Sequence, residues 1–363
     1  MPIRRFESTE HDARRRGLTL GSALRSEIAS AFTRYGELFV ASGSSMAQVR
    51  EWGERALTVT DDWCPRLAAE IRAVADGSGL EAWQIAALNA RTEILAASAV
   101  RRGVPVPRAE CSTAVHLSRG GEPPRTLQTW DWHDHLRDVR LVWAYRPSPG
   151  HRVRTFTELG VLAKIGLNSR GLGVHFNILE HDSDTDEIGV PVHLVTRRIL
   201  DEAGTVGEAR DIAASALVSA SSAITVVGFD GKRADAACLE LSPSGLGEVR
   251  PEHDGTLVHT NHFLDPELAP GERNAADEDS RDRLATLRGR RPALRSADLT
   301  DRAGAMLSHA PEGPALCAHP AADAPMTSRW ETLITISLDL EATRLRFHEG
   351  GPCGVAPHTW QSF

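Results

Sequence analysis

Lysine is nearly missing from this chain. Only Lys164 and Lys232 occur in 363 residues, and arginine makes up the rest of the 41 basic side chains. By itself that bias carries no chemistry. An excess of positive charge is missing too. The formal charge is −8, so nothing favours a phosphate backbone, and nucleic acid is not expected as a partner. No run of eighteen apolar residues exists, which predicts no membrane-spanning helix. Met1–Glu7 lacks an apolar core region, so no secretory signal is read there. The five cysteines (Cys64, Cys111, Cys238, Cys317 and Cys353) are odd in number and contain no C-x-x-C pair. That argues against a disulfide framework or a zinc ribbon and predicts a protein of the reducing cytoplasm.

What is present is an ordinary globular composition, 41% apolar and 25% charged, long enough to bury a sizeable core. Leu24, Ile28, Ala31, Phe32, Tyr35 and Phe39 recur at helical spacing. Ser45 and Gln48 have the capping-box spacing and open another helix. A longer helix is predicted over Glu81–Ala97, carrying Asn89, Arg91 and Glu93. Arg101–Arg108 is polar and punctuated by proline, which predicts an exposed linker. From Cys111 the period changes to two. Strands are predicted at Ser112–Ser118, Thr126–Trp132, Val139–Tyr145, Thr155–Lys164 and Leu172–Asn177. Helices return over 191–220, with Thr205 and Glu208 again at capping-box spacing. Further strands follow at Ile224–Gly228, Ala236–Leu241, Thr332–Leu340 and Arg344–His348. Hairpins interleaved with helical blocks predict an α+β fold with antiparallel sheets.

Cys111 stands where the linker meets the first of these strands. Alone, a cysteine there reads as a small buried hydrophobe. Its companions change the reading. Cys111-Ser112-Thr113 is followed by Gln128-Thr129-Trp130-Asp131-Trp132, by the glycine-rich Gly166–Gly173 segment, and by His259-Thr260-Asn261-His262-Phe263. Leu88-Asn89-Ala90-Arg91-Thr92-Glu93 precedes them, and Glu240-Leu241-Ser242-Pro243 and Gly350-Gly351-Pro352-Cys353 are further landmarks. In this order and spacing the motifs resemble the acyl-coenzyme A:6-aminopenicillanate acyltransferase family, also called the isopenicillin N acyltransferase-like or C45 family. The resemblance implies an αββα N-terminal-nucleophile hydrolase sandwich, two antiparallel sheets between helix layers. It implies a precursor that cuts itself between Glu110 and Cys111. The products would be a helical α chain of residues 1–110 and a catalytic β chain of residues 111–363, held together as one domain. It further implies hydrolysis or acyl transfer on a small amide or acyl donor through a Cys111 thioester, without a cofactor.

The chemistry of such a site can be argued separately. The thiol attacks the preceding carbonyl, an N-to-S acyl shift gives a thioester, and water releases a new N-terminus. The freed α-amine, with an ordinary pKa of ~7.7–8.0, can then serve as the base for its own side chain. The resemblance implies that Asp131 holds that ammonium, and a carboxylate flanked by Trp130 and Trp132 is costly to bury unpaired; the plainer reading is an aspartate that caps a strand. The resemblance implies that Asn261 donates to the oxyanion; the plainer reading is a turn residue. Asn168 and Trp132 are expected to bind substrate, although Asn-Ser-x-Gly is foremost a hairpin turn. One departure from the family pattern is Ala318 in Leu316-Cys317-Ala318-His319, where the family often carries arginine.

His133-Asp134-His135, with His259 and His262, are the histidines a zinc reading would use. No third ligand has a convincing spacing, and no metal site is predicted. Two other readings stay open: a catalytically silent relative that binds a small amide or peptide, and a metal-dependent hydrolase built on those histidines.

Overall fold

The computed structural model describes residues 2–104, 111–273, 278–321 and 323–363. A short strand, β1 (Arg4–Glu7), leads into six helices: α1 (Ala13–Ala23), α2 (Arg25–Ala41), α3 (Met46–Trp63), α4 (Pro65–Ser78), α5 (Ala82–Asn89) and α6 (Arg91–Arg102). Local chemistry sets their ends. The Ser45 hydroxyl accepts from the Gln48 N–H at 3.2 Å, and the Gln48 side chain accepts from the Ser45 N–H at 2.8 Å, closing the predicted capping box of α3. Pro65 occupies the first turn of α4, where its missing N–H costs nothing, and Gly79 ends that helix in the left-handed region at φ 76°.

The single helix predicted over Glu81–Ala97 is two, α5 and α6, broken at Ala90. The break lets three side chains reach different targets. Asn89 donates to the Gly160 carbonyl and accepts from the Leu162 N–H. Arg91 pairs with Glu158. Glu93 accepts from the Val192 N–H at 2.8 Å. The linker expected from Arg101 begins later, since α6 continues through Arg102.

The remaining strands are β2 (Ser112–His116), β3 (Arg125–His133), β4 (Arg140–Ser148), β5 (His151–Glu158), β6 (Ile165–Asn168), β7 (Leu172–Ile178), β8 (Ser222–Phe229), β9 (Ala234–Ser242), β10 (Gly245–Val249), β11 (Thr256–His259), β12 (Trp330–Asp339), β13 (Arg344–His348) and β14 (Gln361–Ser362). The predicted strand Thr155–Lys164 is interrupted. Gly160 turns the chain at φ 88°, and Asn89 ties down the resulting loop, so β5 stops at Glu158 and β6 starts at Ile165.

Among the described residues these strands form two sheets. The first has the order β1-β4-β5-β6-β7-β8-β9-β10, and the second β11-β2-β3-β12-β13-β14. Every pairing is antiparallel except that of β1 with β4. The sheets face each other, with β2 against β7 and β13 against β5 and β6. On the outside of the first sheet lie α7 (Val192–Glu202) and α8 (Val206–Ala214), and Glu70 of α4 pairs with Arg197 of α7 at 2.9 Å. On the outside of the second lie α9 (Glu278–Gly289), α10 (Arg291–Leu294) and α11 (Leu299–Ala305), packed through Leu284, Leu287 and Ala303 onto Ala114, Leu127 and Val258. This is the αββα sandwich expected. Among the described residues no helix is long and apolar enough to cross a membrane.

Candidate active site

Strand register alone brings the main candidates together. β2 is the neighbour of both β11 and β3. Thr113 is paired with His259 of β11, and Ser112 with Thr129 of β3. Running each antiparallel register on to Cys111 sets it opposite Asn261 on one side and Trp130 on the other, one residue from Asp131. Three segments separated by as much as 150 positions (111 to 261) therefore meet at one end of the second sheet.

Cys111 is buried. Its carbonyl accepts from Asn177 Nδ2 at 3.1 Å and from Arg283 Nη1 at 3.0 Å. Arg283, on α9, also donates to Ser112 Oγ at 3.1 Å and to Asn261 Oδ1 at 3.1 Å, while Asp279 holds its Nε at 2.7 Å. Asn261 lies just past β11 and donates to the Ile178 carbonyl at 2.9 Å. One guanidinium thus links the Cys111 main chain to the Asn261 amide. Burial, and after it the Asp131 carboxylate, pushes the thiol up to about 12; the Asp131 backbone N–H, Lys164 and Arg283 act in the opposite direction. In the intact chain the sulfur is therefore a neutral thiol, and attack requires that its proton be removed.

Behind Cys111, between the sheets, is a buried charged cluster. Lys164, at the foot of β6, and Tyr35 of α2 both hydrogen-bond the Glu158 carboxylate. Arg91 donates to it at 2.8 and 3.1 Å. Lys164 Nζ sits 3.7 Å from the centre of the Trp130 ring, the ring whose residue stands opposite Cys111. Burial alone would raise Glu158, but Arg91 and Lys164 outweigh it and hold the carboxyl at about 2. Burial and Arg91 bring Lys164 down to about 7, against the pull of Glu158 and Cys111.

The side chains of the two expected substrate residues have partners within the chain. Asn168 donates to the Leu200 and Ala203 carbonyls and accepts from the Arg170 and Leu172 N–H groups. Its amide is fully used in closing the β6–β7 turn onto α7. It also sits at the opposite end of β7 from Asn177, about 16 Å along the strand at the usual rise. Asn168 closes this turn, and all four of its amide hydrogen bonds are made within the chain. Trp132 is enclosed: its Nε1 donates to Tyr35 Oη at 2.9 Å, and Arg91 lies 4.6 Å over its ring. It has no open face in the intact chain. Glu110, the other side of the expected cleavage bond, lies outside the described residues. The histidines of the zinc reading do not assemble either. His259 is bound to Glu240 at 2.6 Å, and His133 stacks on Trp330 at 4.2 Å.

Residues 119–353 match the model of the acyl-coenzyme A:6-aminopenicillanic acid acyl-transferase family, roughly two thirds of the chain. The chain belongs to this family. Within it, the chain is 29% identical over 246 residues to the 40 kDa form of acyl-coenzyme A:6-aminopenicillanic-acid-acyltransferase from Emericella nidulans. That match covers 67% of this chain, and the chain spans 65% of the length of that relative. Among solved structures, penicillin V acylase from Agrobacterium tumefaciens shares 14% identity with a TM-score of 0.44, over 66% of this chain and 83% of that one. A mutant of conjugated bile acid hydrolase from Clostridium perfringens shares 11% with a TM-score of 0.44, over 69% and 92%.

Two residues of this acyl-transferase family member escaped the sequence reading. Arg283 lies in a polar stretch with no motif, and only the packing of α9 on β2 brings it to Cys111. Lys164 is one of only two lysines in the chain, but its place between Trp130 and Glu158 comes from the packing of the sheets. Ala318, at the place where arginine was expected, is buried and exchanges backbone-side hydrogen bonds with Thr332.

Proposed function

We propose that this protein is a self-processing cysteine N-terminal-nucleophile enzyme that cleaves or transfers the acyl group of a small amide. The observation that carries the reading is the convergence on Cys111 of Asp131, Asn261 and Arg283, at the point where the described β2 strand begins. In the intact chain the Cys111 nitrogen is part of a peptide bond and cannot act as a base. Lys164, basic near neutral pH and set behind Trp130, is the group that takes the thiol proton. The sulfur then attacks the Glu110 carbonyl carbon, the carbon–nitrogen bond breaks, and the leaving nitrogen receives the proton. Water hydrolyses the thioester and frees both the Glu110 carboxylate and the Cys111 thiol.

In the processed enzyme the Cys111 α-amine becomes the base, with Asp131 as its counter-charge. Asn261 Nδ2 uses one N–H on Ile178 and has a second for the oxyanion of the substrate. The substrate acyl group passes to sulfur, and water or an amine then takes it. Family membership supports acyl transfer or amide hydrolysis as the reaction class.

The test is the intact mass of purified full-length protein. Wild type is expected as two fragments, residues 1–110 and 111–363, and Cys111→Ala as one chain. A wild-type chain that hydrolyses amides while retaining the mass of all 363 residues would remove the processing step. An uncleaved chain without activity would favour a silent, binding-only relative.

A further inference from the structure

Outside the Cys111 site, four side chains with metal-binding atoms converge. His309 follows α11, Cys317 and His319 lie on the approach to β12, and Cys353 lies in the turn after β13. Their ligand atoms all lie within 4.8 Å of one another. His319 Nε2 is 3.6 Å from Cys317 Sγ and 3.5 Å from Cys353 Sγ. The rings of His309 and His319 are 5.0 Å apart. His309 Nε2 is buried and has no hydrogen-bond partner among the described residues. Both cysteines are free thiols.

The two sulfur–nitrogen separations match a coordination sphere. Bonds of about 2.3 Å to sulfur and 2.0–2.1 Å to nitrogen, meeting at the tetrahedral angle, set sulfur and nitrogen about 3.6 Å apart. Two thiolates with two imidazoles form a soft set that suits zinc and not magnesium or calcium. The backbone holds the set in place. The Cys317 N–H donates to the Ser308 carbonyl at 3.0 Å, and the Thr332 N–H to the Ala318 carbonyl at 3.0 Å. A Cβ at Gly351 would lie 2.4 Å from Cys317 Sγ. Only glycine lets the turn carrying Cys353 come this close, which gives a physical reason for the Gly350-Gly351-Pro352-Cys353 motif. These four residues are spread from 309 to 353 without a local pattern, so no spacing in the sequence marks them as a set.

We propose that His309, Cys317, His319 and Cys353 bind one zinc ion in a closed tetrahedral site. Binding releases the two thiol protons, and the two thiolates balance the charge of the ion. Four protein ligands leave no position for water or substrate, so the ion is structural. It ties the 309–319 segment and the 351–353 turn to β12, whose Thr332 is the register partner of Asp131. The proposal is independent of the reading of Cys111.

The experiment uses full-length, tag-free protein from zinc-supplemented cultures, purified under reducing conditions and measured for metal. About one zinc per chain is expected, as for a closed four-ligand site. Cys353→Ser, a mild change at an exposed position, should lower the content at least tenfold, an estimate from losing one of four ligands. Cobalt exchanged into wild type should show the visible bands of a tetrahedral thiolate site, absent in that variant. Wild-type protein with no more zinc than Cys353→Ser overturns the proposal. So does an intact mass lighter by two hydrogens with Cys317 and Cys353 joined, since the pair would then be a disulfide.

Discussion

At the scale of single residues, the site separates generating the nucleophile from stabilising what it attacks. Asn261 belongs to the second task. Asn261→Ala in processed enzyme should leave alkylation of Cys111 by iodoacetamide near the wild-type rate, since that reaction has no acyl oxyanion. Turnover of an amide substrate should fall roughly 10²-fold or more, the scale for losing one oxyanion donor. Equal losses in both assays would make Asn261 an architectural residue that only positions Arg283. Lys164 belongs to the first task, and only in the precursor. Processing of freshly translated wild-type chain should speed up as pH rises through about 7, where Lys164 loses its proton. Lys164→Met should slow it by roughly 10²-fold, as for loss of a general base, and flatten that rise. An unchanged pH profile in the variant would rule the lysine out.

At the scale of elements, the N-terminal motif and the β6–β7 turn are anchors. Asn89, Arg91 and Glu93 each fasten the α5–α6 bend to a different part of the first sheet and its helices. Asn168 fastens β6 and β7 to the end of α7 with all four of its amide hydrogen bonds. Asn168→Ala leaves buried carbonyl and N–H groups without partners and should cost about 1–3 kcal/mol of stability for those unmet groups. KM should not change, because the amide has nothing left for substrate. Denaturant unfolding and steady-state kinetics on the same sample check both halves. A raised KM with unaltered stability would instead support the substrate role.

At the scale of the whole molecule, the proposed cut leaves the centre of the sandwich divided between two chains. Tyr35 and Arg91 of the first fragment reach Trp132 and Glu158 of the second through buried hydrogen bonds. After cleavage the fragments should elute together in size-exclusion chromatography at neutral pH. The cluster also sets an acid limit. Glu158 is held below its ordinary value, so its stabilising contribution is complete above about 4.5 and is lost as pH falls toward about 2. Thermal stability and fragment association should therefore decline together across that window. Glu158→Gln should be less stable at neutral pH, because Arg91 and Lys164 lose their counter-charge, and should show a shallower decline. A wild-type protein whose stability does not change between pH 4.5 and 2 would show that this cluster stays protonated-insensitive and contributes nothing to acid lability.

Much of this was legible in the chain itself. Periodicity located the helical first hundred residues and most of the strands, because a half-buried element must repeat its apolar face along its own length. Capping boxes at Ser45 and Thr205 stand where they were predicted, being set by neighbours three residues apart. Cys111, Asp131 and Asn261 were named from motifs, and strand register explains their meeting. Other features depended on long-range packing. The break at Ala90, the turn at Gly160 and the full use of the Asn168 amide follow from partners about 30 to 75 positions away, which no local pattern encodes. Arg283, Lys164 and the His309–Cys353 cluster belong to the same class. Sequence determined which side chains and which periodic faces the chain possesses; only the stacking of two sheets between helix layers decided which charges share a buried space, because burial and long-range packing, not order along the chain, set Lys164 against Glu158 and bring His309, Cys317, His319 and Cys353 together.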